Sequence, residues 1–194
     1  MRLGRTGRVY EALFPAVLGQ KVTTREANSS GARLIRKYGE AAPGPCGLML
    51  MPDPDLMRTL SYWDLHPLGV ERKRAEILLE IARRSRRLEE IVDMEKPEAF
   101  ARLTAVRGIG PWTAGHVMGI AWGDADAIPG GDFHLPNTVS WALAGEDRGS
   151  DDRMLELLEP YRGHRRRVML LLAGAGIGAP KYGPKYEIRS IDRI

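Results

Sequence analysis

The stretch LTAVRGIGPWTA, residues 103–114, combines residue types that suit contact with a phosphate. Two helical patterns flank a Gly-Ile-Gly turn, and a proline stands where the first turn of the second helix would begin. Gly108 and Gly110 can adopt positive φ and let the backbone approach another surface, while Ile109 can pack into the core. The amides of Gly110 and Thr113 would then lie at a helix N-terminus, which favours an anion. An ordinary corner between two helices explains the same residues.

Asp132 follows in the stretch IPGGDFHLPNTVSWAL, where it precedes a helical pattern that ends at Ala144. A carboxylate at a helix N-cap accepts hydrogen bonds from backbone amides, and the helix dipole keeps it ionised. An ionised carboxylate can stabilise positive charge that develops during a reaction. A simple helix cap is the alternative interpretation of this aspartate.

Several other chemistries are excluded by the composition. Cys46 is the single cysteine, so no disulfide can form within the chain and no iron–sulfur cluster can be held by cysteines alone. The histidines are not spaced at i, i+4 or beside a second ligand, which makes a structural zinc site improbable; they are His66, His116, His134 and His164. No apolar run approaches the ~18 residues of a membrane span, and residues 1–9 do not resemble a secretory signal. These features favour a reducing compartment, and we expect a cytoplasmic protein.

The charge pattern permits a polyanionic partner. The 29 basic residues outnumber the 25 acidic ones only slightly, giving a net charge of +4, but most of the basic residues are arginines. They concentrate in two blocks, residues 83–87 and 162–167. Arginine binds phosphate with two parallel N–H donors, and clustered basic residues attract nucleic acid. Solvated helix faces explain the same blocks equally well.

The elements that position these residues are predicted to be helices. Apolar residues recur at helical spacing nearly throughout, and no alternating pattern predicts a sheet. Pro15 lies inside the first stripe, residues 10–18, and predicts a kink or a late helix start. Residues 41–55 are rich in proline and glycine and predict a long loop, whose run Leu48–Met51 should pack on the core.

Taken together, these motifs resemble the helix-hairpin-helix DNA glycosylase superfamily and, within it, the 3-methyladenine DNA glycosylase II family. The resemblance extends from about Tyr10 to Leu172. It rests on EALFPAVLGQKVT at 11–23, HPLGVERKRAEILLEIA at 66–82, LTAVRGIGPWTAGHV at 103–117 and GDFHLPNTVSWAL at 131–143. The hairpin alone occurs in many DNA-binding proteins, whereas the hairpin, the spaced aspartate and the early LGQ turn together are specific.

The resemblance implies an all-α fold of two lobes with a central cleft. A helical-barrel lobe, residues 22–122, would include the hairpin. A second lobe, residues 1–21 plus 126–176, would carry the aspartate, and residues 177–194 would form a basic extended tail. Members of the family usually carry an additional N-terminal β-rich domain, which we expect this chain to lack. It also implies a bacterial-type, nucleoid-associated protein that acts as a monomer.

The implied activity is hydrolysis of the N-glycosidic bond of alkylated purines in double-stranded DNA, after the damaged nucleotide has flipped out of the duplex. Asp132 would be the catalytic residue. Trp112 occupies the position where strand-cutting relatives carry a lysine that forms a Schiff base. An indole cannot form that adduct but can stack on a cationic base. The implied enzyme is therefore monofunctional. A role in core packing is the alternative interpretation of Trp112.

The resemblance also assigns further site residues. His116 falls in the base pocket, where relatives often have an aromatic residue, and a later aromatic position falls near Leu170. Gln20 or Lys21 would fill the gap left by the flipped base, and neither is the leucine expected there. DNA contacts are implied for Gln20, Lys21, Gly108, Ile109, Gly110 and Thr113. No cofactor is required, but a sodium or potassium ion can sit under the hairpin on the carbonyls of Thr104, Val106 and Ile109.

Two alternatives stay open at the level of the sequence. One is a glycosylase of the same superfamily for a deaminated or oxidised base. The other is a DNA-binding module without catalytic activity, because the pocket has fewer aromatic residues than the family pattern.

Overall fold

The computed structural model describes residues 1–180, and this range is helical apart from its turns and loops. No strand forms within it, and its β-type pairing is an isolated antiparallel bridge between Ala41 and Met49. The predicted all-α class is therefore confirmed. The α-helices are α1 (Val9–Leu18), α2 (Thr24–Tyr38), α3 (Pro54–Met57), α4 (Tyr62–Leu65), α5 (Arg72–Arg83), α6 (Ser85–Glu89), α7 (Lys96–Thr104), α8 (Pro111–Val117), α9 (Leu135–Ala144), α10 (Asp151–Leu158) and α11 (Arg165–Gly174). A π-helical turn, Met118–Trp122, continues α8.

Packing divides the chain into two units, and the boundary falls inside the glycine hairpin. One unit is Arg8–Ile109. The other joins Met1–Gly7 to the described residues from Gly110 to 180. The lobe boundaries expected from the sequence stay predictions. Most of the expected basic tail, from residue 181 to the end, lies outside the described residues. Up to residue 180, no helix is both long and apolar enough to cross a membrane.

Helix α1 forms the centre of the unit Arg8–Ile109. Most of its side chains are buried, among them Leu13, Phe14 and Val17, and it packs against α2, α5 and α6. Burying one large apolar side chain contributes about 1.5–3 kcal/mol to folding. The helix runs through Pro15 instead of starting after it.

Charged side chains from α5 and α6 hold both ends of α1. The carboxylate of Glu89 accepts hydrogen bonds from the backbone N–H groups of Val9 and Tyr10, each at 2.8 Å. At the other end the buried guanidinium of Arg74 donates to the carbonyl oxygen of Leu18 at 2.8 Å. Helix ends leave such groups without intrahelical partners, so both contacts satisfy them. They also fix where the LGQ turn begins.

The second unit is built around α9, α10 and α11. A buried apolar cluster in this unit consists of Val139, Met154, Leu158 and Met169, and partly buried apolar residues such as Leu135 and Leu172 pack around it. This core holds the first turn of α9, and therefore the residues just before it, in a fixed position.

The prediction for the loop before α3 is partly wrong. Leu48, Met49 and Leu50 were expected to pack on the core, but they are 65%, 42% and 47% exposed. Only Met51, at the end of the run, is half-buried. Backbone hydrogen bonds from Ala42 to Leu48 and from Leu50 to Glu40 hold the two sides of this loop to each other, around the bridge between Ala41 and Met49.

The contact between Glu89 and the start of α1 generates a stability prediction. Replacing Glu89 with alanine leaves the two amides without their acceptor, and hydrogen bonds to a charged group contribute about 1.5–3 kcal/mol. We expect Glu89→Ala to lower the free energy of unfolding by an amount on this order, measured by urea denaturation. The exposed Glu40 of the loop supplies the control Glu40→Ala. Equal midpoints for the two variants would contradict the capping role.

Candidate active site

Asp132 lies three residues before the first residue of α9 and caps that helix with one carboxylate oxygen. Its Oδ1 accepts hydrogen bonds from the backbone N–H groups of His134 and Leu135, each at 2.8 Å. Asp132 was expected to be the N-cap residue itself, but the N-cap is His134, and Asp132 caps the helix from two residues before it. The preceding turn is held as well, because the N–H of Gly131 donates to Oδ2 of Asp151 at 2.8 Å.

The second oxygen of Asp132 is bound by Trp112. The indole Nε1–H donates to Oδ2 at 2.7 Å, and both side chains are half-buried. This bond was not predicted from the sequence, where Trp112 was expected only to stack on a base or to lie in the core. An indole N–H can only donate a hydrogen bond, and it usually finds an acceptor when it is buried. This property was the signal that could have indicated a carboxylate partner.

A glycine in α8 permits the close approach that joins these two residues. A Cβ atom on Gly115 would lie 2.4 Å from the carbonyl oxygen of Ile128 and 2.8 Å from Cα of Pro129. A Cβ atom does not approach another non-bonded heavy atom this closely, so a larger residue would push α8 away from the segment that carries Asp132. The hydrogen bond from Trp112 therefore depends on a residue three positions further along its helix.

The surroundings of Asp132 favour its ionised form. Burial alone raises the pKa of the carboxyl group, but hydrogen bonds from Trp112, Leu135 and His134 outweigh burial and bring it below the usual value. A smaller contribution of the same sign comes from His116. The result is a fixed negative charge with three donors that need no rearrangement when a positive charge develops nearby.

His116 lies one turn after Trp112 on α8, and the two rings meet edge to face with centroids 4.5 Å apart. Burial lowers the pKa of His116, the positive charge of Arg166 lowers it further, and Asp132 acts in the opposite direction. The imidazole is therefore neutral at pH 7. The structure thus brings together three residues that the sequence analysis selected separately: Trp112, His116 and Asp132.

The backbone conformation of the glycine hairpin differs from the sequence-based prediction at Gly110. Gly108 has φ +91°, and a Cβ there would lie 2.5 Å from Cδ1 of Ile77, so the turn requires glycine. Gly110 has φ −94°, a value open to any residue, and a Cβ there would meet nothing within 4 Å. The expectation of positive φ at Gly110 is therefore wrong. Ile109 is buried as expected, and its N–H donates to the carbonyl of Val106 at 2.9 Å.

Gln20 and Lys21 of the LGQ turn were both considered for filling the gap that a flipped nucleotide leaves in the DNA, and their surroundings differ. The side-chain amide of Gln20 donates to the carbonyl oxygen of Gly108 at 3.0 Å, which ties Gln20 to the hairpin. Lys21 is exposed and has φ +55°, an unusual backbone conformation for lysine. Lys21 is thus the more accessible of the pair. Thr113, also selected from the sequence, is 2% exposed, which leaves little of it for direct contact with DNA.

The two arginine blocks, residues 83–87 and 162–167, are not uniformly solvated. In the first block Arg83 and Arg84 pair with Glu80, and Arg86 lies 3.9 Å from Asp55. In the second, Arg165 pairs with Asp126 and Arg166 is buried. Part of the basic charge is therefore neutralised within the protein, which weakens long-range attraction.

Metal binding by side chains finds no support in residues 1–180, where no group of three histidine, cysteine or acidic side chains could hold an ion. The hairpin carbonyls expected to hold a monovalent cation are a separate matter. The hydroxyl group of Thr104 donates to the carbonyl of Phe100 at 3.0 Å. The backbone carbonyl of Thr104 is therefore its only group considered as a ligand for the cation. The carbonyl oxygen of Val106 uses one lone pair to accept the hydrogen bond from the N–H of Ile109 that closes the turn. Its second lone pair could bind a cation.

Comparisons with known proteins agree with the resemblance. No protein-family model matches the chain. YfjP of Bacillus subtilis is 27% identical over 160 residues, covering 79% of this chain and 55% of YfjP. DNA-3-methyladenine glycosylase 2 of Escherichia coli is 29% identical over 168 residues, covering 84% of this chain and 57% of that protein. The solved 3-methyladenine DNA-glycosylase of Archaeoglobus fulgidus has a TM-score of 0.77 and 26% identity, over 88% of this chain and 59% of that one. The chain spans little more than half the length of these curated relatives.

The bond from Trp112 to Asp132 generates a test that requires no knowledge of the reaction. Trp112→Phe keeps an aromatic ring but removes a hydrogen bond that lowers the pKa of Asp132. We expect that pKa to rise in Trp112→Phe, as measured by carbon-13 NMR titration of the aspartate carboxyl groups. Because a lowered pKa stabilises the fold above the unfolded pKa of ~3.9, the variant should also lose less stability on acidification. Trp141→Phe on α9 is the control, and an unchanged Asp132 midpoint would refute the role of the indole N–H.

Proposed function

Because the chain belongs to the helix-hairpin-helix DNA glycosylase superfamily, we propose that it removes alkylated purines of the 3-methyladenine type from DNA. The observation that carries this proposal is the carboxylate of Asp132, which is ionised and fixed by Trp112 and two helix amides. The substrate is double-stranded DNA in which the damaged nucleotide has turned out of the stack.

The proposed reaction is hydrolysis of the bond between the base and the sugar. As this bond breaks, positive charge develops on the sugar, and a nearby carboxylate lowers the energy of that transition state. Asp132 supplies this charge without rearrangement because its donors are already in place. An alkylated purine is cationic and leaves readily, so no second carboxylate is needed to protonate it.

Trp112 has two roles in this proposal. Its N–H holds Asp132, and its ring stacks on the flipped base, where a cation over an indole gains about 0.5–2 kcal/mol. Trp112 cannot form a Schiff base with the sugar, so the enzyme would release the base without cutting the strand.

The remaining assignments concern DNA binding. The amide of Gly110 would approach a phosphate at the start of α8, and Lys21 would enter the gap left by the flipped nucleotide. Support comes from the open space at Gly110 and from the exposure of Lys21. The carbonyls of Thr104, Val106 and Ile109 would hold a sodium or potassium ion and orient the hairpin. The protein would act as a monomer.

The role of Asp132 is tested by Asp132→Asn, which keeps an oxygen for the helix amides but removes the charge. We expect single-turnover release of methylated bases to fall by ~10²–10³-fold, while binding to DNA holds or improves. The control is Asp152→Asn, an exposed carboxylate in the first turn of α10. Equal rates for Asp132→Asn and the parent protein would return Asp132 to a capping role. No release by the parent protein would favour a DNA-binding module, and release of only deaminated or oxidised bases would favour another lesion.

The hairpin is tested by Gly110→Asp with Gly110→Asn as its neutral control. A side chain at this position has room, so both variants should fold. The carboxylate would repel the phosphate, and Gly110→Asp should therefore bind damaged and undamaged duplex more weakly. The loss of one phosphate contact makes the log–log salt slope shallower by ~0.9. Identical affinity and slope for the two variants would exclude a phosphate at Gly110.

A further inference from the structure

The segment 61–73 carries an aromatic and basic cluster that the proposed reaction does not use. It belongs to the unit Arg8–Ile109, whereas Asp132 lies in the other unit. Trp63, on α4, is 69% exposed, and between residues 57 and 132 it is the one large apolar side chain that is exposed. Tryptophan is enriched among the residues that anchor binding contacts, so this indole is a candidate anchor.

The side chains around Trp63 form a fixed arrangement. The ring of Tyr62 lies 4.9 Å from that of Trp63 at an angle of 57°, a favourable tilted contact. The hydroxyl group of Tyr62 lies 2.9 Å from Nδ1 of His66, in the turn that follows α4. At the start of α4 the carboxylate of Asp64 accepts hydrogen bonds from the N–H and the hydroxyl group of Ser61, at 2.8 and 2.7 Å. Both ends of the short helix that carries the two rings are therefore held.

Arg72, the first residue of α5, adds a cation to this arrangement. Its Cζ atom lies 4.4 Å from the centre of the Tyr62 ring and 5.8 Å from that of Trp63, and both distances are within cation–π range. Its ion pair with Glu76 has an N–O distance of 4.0 Å, beyond hydrogen-bonding range, and both side chains are exposed. A guanidinium whose face lies on a ring can still present the N–H groups of its edge to a phosphate. A forked donor thus lies beside an exposed indole.

The cluster is continuous with the LGQ turn, which the proposed function places at the DNA. The buried guanidinium of Arg74 donates to the carbonyl oxygen of Leu18 at 2.8 Å and lies 3.5 Å from that of Gly69. Gly69 precedes Arg72 by three residues, and Leu18 precedes Lys21 by three residues. The side chain of Arg74 therefore joins the start of α5 to the turn that carries Lys21.

The chemistry of the cluster fits one nucleotide of an unpaired strand. Every nucleobase presents a flat π face that can stack on an indole, and a guanidinium binds the neighbouring phosphate with parallel N–H donors. Lys73 is exposed next to Arg72 and adds a further positive charge. A protein partner is less favoured, because a stable protein contact needs a wider apolar centre than the single exposed indole of this surface.

We propose that Tyr62, Trp63 and Arg72 form a second DNA-binding site, which holds one nucleotide of an unpaired strand. The base stacks on the indole of Trp63, and the guanidinium of Arg72, oriented by the Tyr62 ring, binds the adjacent phosphate. The inference rests on the proposed function only in taking DNA as the partner, and it requires no reaction at Asp132. Such a site would let the protein hold DNA at a gap or at a partly opened duplex.

The first measurement is the affinity for a labelled oligothymidylate of about ten nucleotides, by fluorescence anisotropy. Trp63→Ala should weaken binding by about 5- to 150-fold, the range for the loss of one stacked base, and Trp63→Phe should restore part of it. Trp141→Ala, at the exposed tryptophan of α9, is the matched control and should bind like the parent protein. In a blunt duplex the bases already stack on each other, so Trp63→Ala should lose much less affinity there.

Three results would overturn the proposal at this point. They are the absence of binding of the single strand by the parent protein, equal affinities of Trp63→Ala and the parent protein, and equal losses on the single strand and the duplex. Because Trp63 and Arg72 are exposed, their replacement leaves the core intact, which circular dichroism would verify.

The second measurement tests the phosphate contact of Arg72 separately. In Arg72→Gln the log–log salt slope for the single strand should become shallower by ~0.7, the value for one phosphate. Arg86→Gln is the control, since Arg86 is an exposed arginine of α6 that lies 3.9 Å from Asp55. An unchanged slope in Arg72→Gln would overturn the proposal. Thymidine monophosphate should displace the strand only at a large excess, and displacement at equal concentration would assign the site to a free nucleotide instead.

Failure of the proposed function is distinguishable from failure of this inference. In the first case the parent protein would release no methylated base, while Trp63→Ala would still bind the single strand more weakly than the parent protein. In the second case the parent protein would release methylated bases, and the two proteins would bind the strand equally.

Discussion

The site depends on the complete set of hydrogen bonds to the carboxylate of Asp132. Two backbone amides of α9 and the indole N–H of Trp112 occupy its two oxygens. A half-buried carboxylate without such donors would tend to take up a proton, since burial disfavours its charge. With them it remains an anion whose direction is set by two helices. The core around α9–α11 and the glycine contact in α8 both serve to keep these partners at hydrogen-bonding distance.

The same carboxylate explains why a helix cap and a catalytic residue are not competing interpretations. The cap uses Oδ1, and the bond from Trp112 uses Oδ2. The cap orients the group and lowers its pKa, which is the condition that electrostatic catalysis requires. His116 fits this arrangement, because its neutral ring lies against Trp112 and adds no positive charge that would compete for Asp132.

Local features of the sequence were sufficient to predict the helical class, the hairpin and the location of Asp132 near the start of a helix. Each of these features depends on residues that are close together in the chain. Gly108 illustrates this success, and Gly110 shows its limit, since the sequence cannot tell which glycine of a Gly-Ile-Gly turn takes positive φ. The exposed Leu48–Leu50 run was misplaced because composition suggests burial, whereas in the structure the loop pairs with itself and these side chains are exposed. The burial of Arg166 was hidden for a similar reason. An arginine-rich run is typical of a solvated face, and its exception depends on Gly119, which is distant in the chain.

The buried guanidinium of Arg166 lies against the backbone at Gly119, where a Cβ atom would be 2.2 Å from its Nε, and this contact constrains how this protein can change over generations. Any side chain at position 119 would displace the guanidinium, and loss of the guanidinium would remove one of the positive charges that act on the buried Asp124. Neither position can vary alone at low cost, so the two should show strong epistasis. Homologues that carry a larger residue at 119 are expected to have a small or apolar residue at 166 and an uncharged one at 124. Lineages that crossed this barrier would have had to alter the three positions nearly together.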